Sequence, residues 1–489
     1  MKLNYKRTIL VGFAFFLISA FWQAYDAIVP LIMINHYGLS QTVSGAVMSL
    51  DNVLAVFLLP IFGAISDKVM TRFGRRTPFI VIGSVAAILS FVFLSIMDLW
   101  QLSRLADAGI IDMYGRAKEA LELAKAAGDE TLIALCEGKL AAVTEAVREM
   151  TLSNVWNVVG FIGVLLVVLL SMATFRSPAV ALMPDVTIKP LRSKGNAIIN
   201  LMGAAGGILV LVLGMVFGTS KNLYMSYVGY VIAVCVIMAV GLLIFIFTVK
   251  EKCWADEMES ESKRLGLDAV VEDDGSGSRK LSKPEFVSLA LILASVALWY
   301  VGYNSITSKY SVYATNVLGF DYNFTLIIAQ AAAIVSYIPV GIVSSKFGRR
   351  KTILAGITML ASAFLLGYFI TPSVPGAIMY PIFALAGIGW ATINVNSFPM
   401  VVELARGGDV GKYTGYYYTA SMSAQIVAPI LSGALYDLVG KLLGNVNLGM
   451  RYVFFIFGAV FVAFSFITMF FVKHGDSNPE VKEVLDNID

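Results

Sequence analysis

Charge is scarce in this chain. Only 14% of its 489 residues are charged, 58% are hydrophobic, and mean hydropathy is +0.78. A soluble domain carries about 25% charged residues, so an ordinary soluble globule is excluded. Histidine is scarcer still: His36 and His474 are too few for a histidine-rich metal site. Cys136, Cys235 and Cys253 stand far apart, with no zinc or redox spacing. No nucleophile motif, phosphate loop or metal cluster is present, so the chain reads as a non-enzyme without a cofactor. The acidic run Glu272-Asp273-Asp274 reads as a solvated patch. The small net charge of +3 gives no support for nucleic-acid binding.

What the chain has instead is apolar runs. A membrane span needs roughly 20 apolar residues. Twelve candidates fall at about 8–35, 42–66, 78–98, 155–184, 195–219, 225–249, 285–312, 322–344, 353–371, 376–403, 413–440 and 450–472. They are spans one to twelve. The first follows Lys2, Lys6 and Arg7 and is too long for a signal-peptide core. The polar stretch 250–284, with Glu272-Asp-Asp-Gly-Ser-Gly-Ser278, reads as a flexible cytoplasmic linker. It separates an N-terminal bundle (1–249) from a C-terminal one (285–472), followed by a cytoplasmic tail (473–489). With the N-terminus inside, most of the 36 Lys and Arg fall on inner segments. Both termini are therefore expected in the cytoplasm, and the protein in a plasma membrane (an inner membrane if bacterial). The insert 99–154 is then extracytoplasmic, between spans three and four. Its apolar positions Ile110, Met113, Ala117, Leu121 and Ala124, then Leu132, Leu135, Leu140, Val143, Val147 and Met150, recur at helical steps around Gly128-Asp129. That spacing predicts a helical hairpin, read as a decoration over the outer mouth. The alternative is a lid or a docking site; no protein partner is identified.

One inner turn occurs twice. The first copy runs Gly63-Ala-Ile-Ser66-Asp67-Lys68-Val-Met-Thr-Arg72-Phe-Gly74-Arg75-Arg76, and the second Gly341-Ile-Val-Ser344-Ser345-Lys346-Phe-Gly348-Arg349-Arg350. A basic turn repeated once per half points to a duplicated membrane transporter. These turns resemble those of the major facilitator superfamily, although Ser345 stands where an aspartate is usual. The longer first copy, the following Thr77-Pro78-Phe79, and Met183-Pro184-Asp185 through Asn200 resemble the sucrose-transporter and glycoside–cation symporter branch, bacterial sucrose:proton symporters above all. The resemblance covers the spans but not the insert. It implies an all-α membrane fold with twelve transmembrane helices in two pseudo-symmetric six-helix bundles. It also implies import of a disaccharide or related glycoside by proton symport through alternating access. The alternatives are a sodium-coupled glycoside symporter and, with less support from so short a linker and tail, a non-transporting sugar sensor. The plant members' arginine at the end of span four falls on Val180 here, while Arg176 lies one helical turn away. The chain has Gly203-Ala-Ala-Gly206-Gly207 in span five without the proline of drug-efflux relatives.

A charge near the membrane centre costs roughly 2.5–3.5 kcal/mol on insertion scales and so faces a cavity or a partner. Asp26 and Asp51 lie roughly 14–16 Å below the outer ends of spans one and two, at about 1.5 Å per residue. Arg176 lies at a similar depth in span four. Asp51 and Asp26 are the candidate proton carriers. Arg176 is a candidate donor to sugar hydroxyls, a cation competing with the proton, or half of a structural Asp–Arg pair. Sugars are held by aromatic faces and convergent polar groups. The candidates are Trp22, Gln23, Tyr25, Asn52, Asn196 and Asn200 in the first half, and Tyr303, Asn304, Gln330, Trp390, Asn394, Asn396 and Gln425 in the second. Lys309, near the outer end of span seven, reads as a snorkelling side chain. The candidate gate comprises Gly63, Asp67, Gly74, Arg75, Arg76, Asp185, Gly348, Arg349, Arg350 and Glu403. Its charges are expected to favour the outward-facing state, with loop topology as the plain alternative. Prolines 30, 60, 178, 339, 399 and 429 fall within spans, where they permit bending.

Overall fold

A computed structural model describes residues 3–188, 191–264, 281–402, 404 and 410–474. Glu403, the Glu272–Asp274 run and most of the tail lie outside the described residues. Among the described residues, twelve helices are long and apolar enough to cross a membrane. They are span 1 (Tyr5–His36), span 2 (Gln41–Lys68), span 3 (Thr77–Asp107), span 4 (Val155–Asp185), span 5 (Lys194–Phe217) and span 6 (Val228–Thr248). The second half has span 7 (Lys283–Leu318), span 8 (Tyr322–Ser344), span 9 (Arg349–Tyr368), span 10 (Gly376–Val401), span 11 (Tyr413–Leu443) and span 12 (Val446–Phe470). No strand occurs among the described residues, apart from a single bridge between Thr71 and Gly74.

Local chemistry sets the helix ends. The side chains of Asn4 and Ser40 accept from the backbones of Arg7 and Val43, satisfying first-turn donors that no helical partner reaches. Ser282 and Glu285 form a capping box at span 7. Span 1 ends in a π-helical turn, Ile32–His36. Span 7 is not the single helix expected. Its first piece ends at Thr307, Lys309 leaves the helical region, and the chain re-enters helix at Tyr310 before a π-helical stretch, Tyr313–Leu318.

Spans 1 to 6 pack as one bundle, through spans 1 with 5, 3 with 4 and 2 with 4. Spans 7 to 12 pack as another, through 7 with 12, 8 with 10 and 9 with 10. Spans 2 and 11 lie together across the divide, as do spans 5 and 8. Span 3 runs past its expected end because Leu102 and Leu105 remain buried, clustering with Ile110, Val143 and Val147. Those last three belong to two further helices, Ile110–Ala127 and Glu130–Ser153, which follow span 3 and pack on each other. The stretch after span 6, expected as a loop, begins with a helix, Glu251–Arg264.

Candidate functional site

Three charges meet at mid-depth in the N-terminal half. Asp26, Asp51 and Arg176 lie within electrostatic reach of one another. Asp26 is exposed although it sits in the middle of span 1, and Asp51 and Arg176 are half-buried. They therefore face a cavity rather than the helix packing. No ion pair within 4.0 Å joins Arg176 to either carboxylate. Its guanidinium instead lies 5.4 Å from the centroid of the Trp22 ring. The structural Asp–Arg pair considered from the sequence is thus not formed in this state. Asn52 donates to Asp51 Oδ1 at 2.7 Å. Two donors beside these charges, Trp22 Nε1 and Tyr25 Oη, are buried with no hydrogen-bond partner among the described residues.

The C-terminal half offers an aromatic surface. Tyr303 and Trp390 stack face to face at 3.7 Å and 6°, and Tyr300 meets Trp390 edge-on. Tyr303 is within electrostatic reach of Asp26, which brings this platform close to the charges of the first half. Between the halves, Gln330 donates to Gln23 Oε1 at 2.5 Å. Other amides expected to bind a ligand are used within their own helices. Asn200 donates to the Asn196 carbonyl, Asn304 to that of Tyr300 and Gln425 to that of Ser421. Asn394 is half-buried one turn beyond Trp390, and Asn396 is buried against Ser344.

The end of the molecule away from the basic turns is sealed, and apart from Lys309 by residues the sequence did not single out. Asp437 of span 11 accepts from the backbone N–H groups of Gln41 (3.0 Å) and Thr42 (2.8 Å) and from the Thr42 hydroxyl. These are first-turn donors of span 2, where a carboxylate also meets the positive end of the helix dipole. Lys309 is fully buried there and donates to the Gln41 carbonyl at 3.1 Å. It does not snorkel: the break in span 7 turns it inward to a carbonyl of the other half. Asn35 pairs with Asn316, and Thr219 with Tyr322 and Asn323, each across the divide. The helices approach so closely that a Cβ on Gly45 would stand 2.1 Å from the Pro429 carbonyl oxygen.

The end with the basic turns is braced differently. Arg76 pairs with Asp67 and, at 2.8 Å, with Asp185; Arg75 pairs with Asp185 at 2.7 Å. The Asp185 carboxylate raises the Arg75 guanidinium above its already high ordinary range, keeping it charged. Arg76 also reaches the Gly63 carbonyl. Glu251, only 2% exposed, accepts from the N–H groups of Arg75, Arg76 and Thr77 and from the Thr77 hydroxyl, so it caps span 3. Gly74 makes room for it. Its φ is +115°, and a Cβ there would lie 2.3 Å from the Glu251 carboxyl carbon. The second basic turn is plainer: Gly348 precedes span 9, Arg349 reaches the Pro399 carbonyl at 3.5 Å, and Arg350 reaches that of Phe470.

Two six-helix bundles with charges set at mid-depth of their spans fit a membrane transporter. Comparison with known proteins narrows the class. The pattern described as Major Facilitator Superfamily matches residues 321–486, and that described as MFS/sugar transport protein matches residues 11–106. No curated protein matches the chain. Among solved structures, it resembles the xylose transporter XylE from E. coli in its inward open conformation, at 12% identity and TM-score 0.57, covering 96% of this chain and 97% of that one. It resembles the nucleoside transporter NupG at 14% identity and TM-score 0.57, covering 95% and 99%. A structure on substrate recognition in proton dependent oligopeptide transporters gives 12% identity and TM-score 0.62, covering 96% and 98%. The chain is a membrane transporter of the major facilitator type.

Proposed function

We propose that this protein imports a disaccharide or related glycoside by proton symport through alternating access. The observation that carries this reading is the group of Asp26, Asp51 and Arg176. All three sit at mid-depth, without ion-pair contact to Arg176, opposite the Tyr303–Trp390 platform. An aromatic face takes the C–H side of a pyranose, while unpaired donors and acceptors take its hydroxyls. We assign that task to Trp22 Nε1, Tyr25 Oη, Asn52 and the Gln23–Gln330 pair.

The coupling argument is one of charge. Two carboxylates and one guanidinium leave the cavity one negative charge in excess. Closing the cavity removes water from them, and an isolated buried charge is costly. A proton on Asp51 or Asp26 cancels the excess, so the loaded cavity can close. Arg176 then selects between states: it attracts the ionised carboxylate and is released toward sugar hydroxyls once that carboxylate is protonated. With the basic turns placed in the cytoplasm, the far-end seal is the outer gate, and the present state is open inward.

The test is uptake of labelled sucrose and maltose by proteoliposomes under an imposed pH gradient, with and without sodium, beside Asp51→Asn. Gradient-dependent, sodium-indifferent uptake that fails in the variant is the expected result. Sodium-driven uptake would transfer the protein to the sodium-coupled reading. No uptake of either sugar under either gradient would remove the substrate assignment.

A further inference from the structure

The far end of the first half holds a polar cluster that the central cavity does not use. His36 closes span 1 and Asp98 lies on span 3; both side chains are 0% exposed. His36 Nδ1 lies 2.5 Å from Asp98 Oδ1, and Nε2 lies 2.9 Å from the Leu223 carbonyl oxygen. A carbonyl oxygen only accepts, so Nε2 carries a hydrogen. A neutral imidazole has one N–H, which leaves Nδ1 as a bare lone pair. An ionised carboxylate also presents only lone pairs. Two bare acceptors do not stand 2.5 Å apart, so the contact requires a hydrogen between them.

We infer that His36 and Asp98 form a second proton-binding site, outside the central cavity, holding one proton more than a neutral imidazole beside a carboxylate. The proton comes from water. It resides on Nδ1 as an imidazolium–carboxylate pair or on Oδ1 as a carboxylic acid donating to the ring; the count is the same. Asp98 Oδ2 has no hydrogen-bond partner among the described residues, so a full charge there is poorly compensated and sharing the proton relieves it.

The surroundings hold the ring in place. Tyr224 and Tyr227 stack on it at 6.1 and 5.6 Å. Gln101 donates to the His36 carbonyl and accepts from Asn157. The titratable or charged groups facing the pair are Tyr37 beside it in the chain, Arg104 on span 3, Tyr224 and Tyr227, with Tyr230 and Tyr322 behind them. Arg148 on the helix Glu130–Ser153 packs its backbone near Gly38 and turns its side chain to Glu145. Arg104 is the one cation in that set, which holds no second carboxylate. The site adjoins the far-end seal, because Asn35 next door pairs with Asn316 of the other half.

The chain's two histidines make the proton countable. The full-length protein in lipid, labelled with 15N-histidine and 13C-carboxyl aspartate, is examined by solid-state NMR at neutral pH. A His474→Gln variant leaves His36 alone, and Asp98 is assigned by its through-space correlation to that ring. The expected result is either a doubly protonated His36 ring or a singly protonated ring facing a protonated Asp98 carboxyl. Asp98→Asn should abolish the extra proton, since its amide donates to Nδ1, leaving a neutral ring protonated on Nε2. A neutral His36 ring together with an ionised Asp98 in the unaltered pair would overturn the inference. That measurement stands even if Asp98→Asn does not fold. It is also independent of uptake, so its failure would leave the central-cavity reading untouched.

Discussion

Removing the Asp437 carboxylate should open the far end. In Asp437→Ala the two span 2 N–H groups and the Thr42 hydroxyl lose their acceptor. Each bond crosses between the halves, so each exists only while that end is shut. A hydrogen bond to a charged group contributes about 1.5–3 kcal/mol net, and truncating a buried charged partner across an interface costs about 2–5 kcal/mol. The helix dipole adds about 0.3–1 kcal/mol. The three bonds share one acceptor and are not additive, and water takes up the freed donors once the end opens. We expect a net loss of about 3 kcal/mol from the closed state. At about 1.4 kcal/mol per tenfold, that is roughly a 140-fold shift in the open-to-closed ratio. Asp437→Asn keeps one carbonyl acceptor without the charge and should shift the ratio by roughly the square root of that factor.

The assay is a distance distribution between spin labels at Lys221 and Leu442, which flank the seal from opposite halves and are both exposed. Cys253, the exposed native cysteine, is first replaced by serine; Cys136 and Cys235 are buried. A longer-distance population that grows from the original protein to Asp437→Asn to Asp437→Ala is expected. Distributions that superimpose for all three, in protein that still binds substrate, would refute the reasoning.

Two further outcomes are expected. Gly74→Ala should lower the unfolding midpoint, because it combines strain at φ +115° with the clash on Glu251; about 2 kcal/mol is reasonable for such a site. The penalty should shrink in a Glu251→Ala background, and equal penalties in both backgrounds would show that the cap is not what Gly74 serves. Trp390→Ala should raise the KM for sugar about tenfold with little change in maximal rate, since an aromatic face contributes about 0.5–1.5 kcal/mol beyond its buried area. An unchanged KM would remove the platform from the binding site.

Hydropathy made the spans legible, because a run of apolar residues long enough to cross a bilayer has few other uses. Isolated charges inside those runs made Asp26, Asp51 and Arg176 legible, for the same reason of cost. The seal was hidden. Asp437 is also an acid inside an apolar run, and that signal was available. Its partners, however, are backbone groups about 395 residues earlier, and a backbone N–H carries no sequence signature. Glu251 was hidden likewise, since it follows span 6 in what reads as polar linker and caps a helix 174–176 residues upstream. Lys309 was misread because depth along a helix says nothing of direction. Once span 7 breaks, the side chain that would reach for the interface is buried on a carbonyl. Asn200, Asn304 and Gln425 illustrate the opposite ambiguity: an amide in a helix looks like a ligand contact in sequence, yet each of these amides bonds along its own turn.

The two ends of the bundle differ in a way that bears on mechanism. Among the described residues, the hydrogen bonds that join the halves gather at the far end and at mid-depth: Asp437 with Gln41 and Thr42, Asn35 with Asn316, Gln23 with Gln330. The partners of Arg75 and Arg76, by contrast, are Asp67, Asp185 and Glu251, all within the first half or on the helix that follows it. Alternating access needs some contacts that break at every swing and others that never break. On the proposed alternating-access cycle the far-end set is suited to breaking, because each bond spans the boundary between the halves and water can replace it. The basic-turn set is suited to persisting, because it ties spans 2, 3 and 4 to Glu251 on one side of that boundary. Charges that bias the outward-facing state must meet the other half, and Asp67 is the member free to do so. It is 55% exposed, whereas Arg76 and Asp185 are 5% and 14% exposed. The inner network is therefore a brace with one exposed carboxylate. That carboxylate is where a cross-half contact can form when the far end opens and the basic-turn end closes.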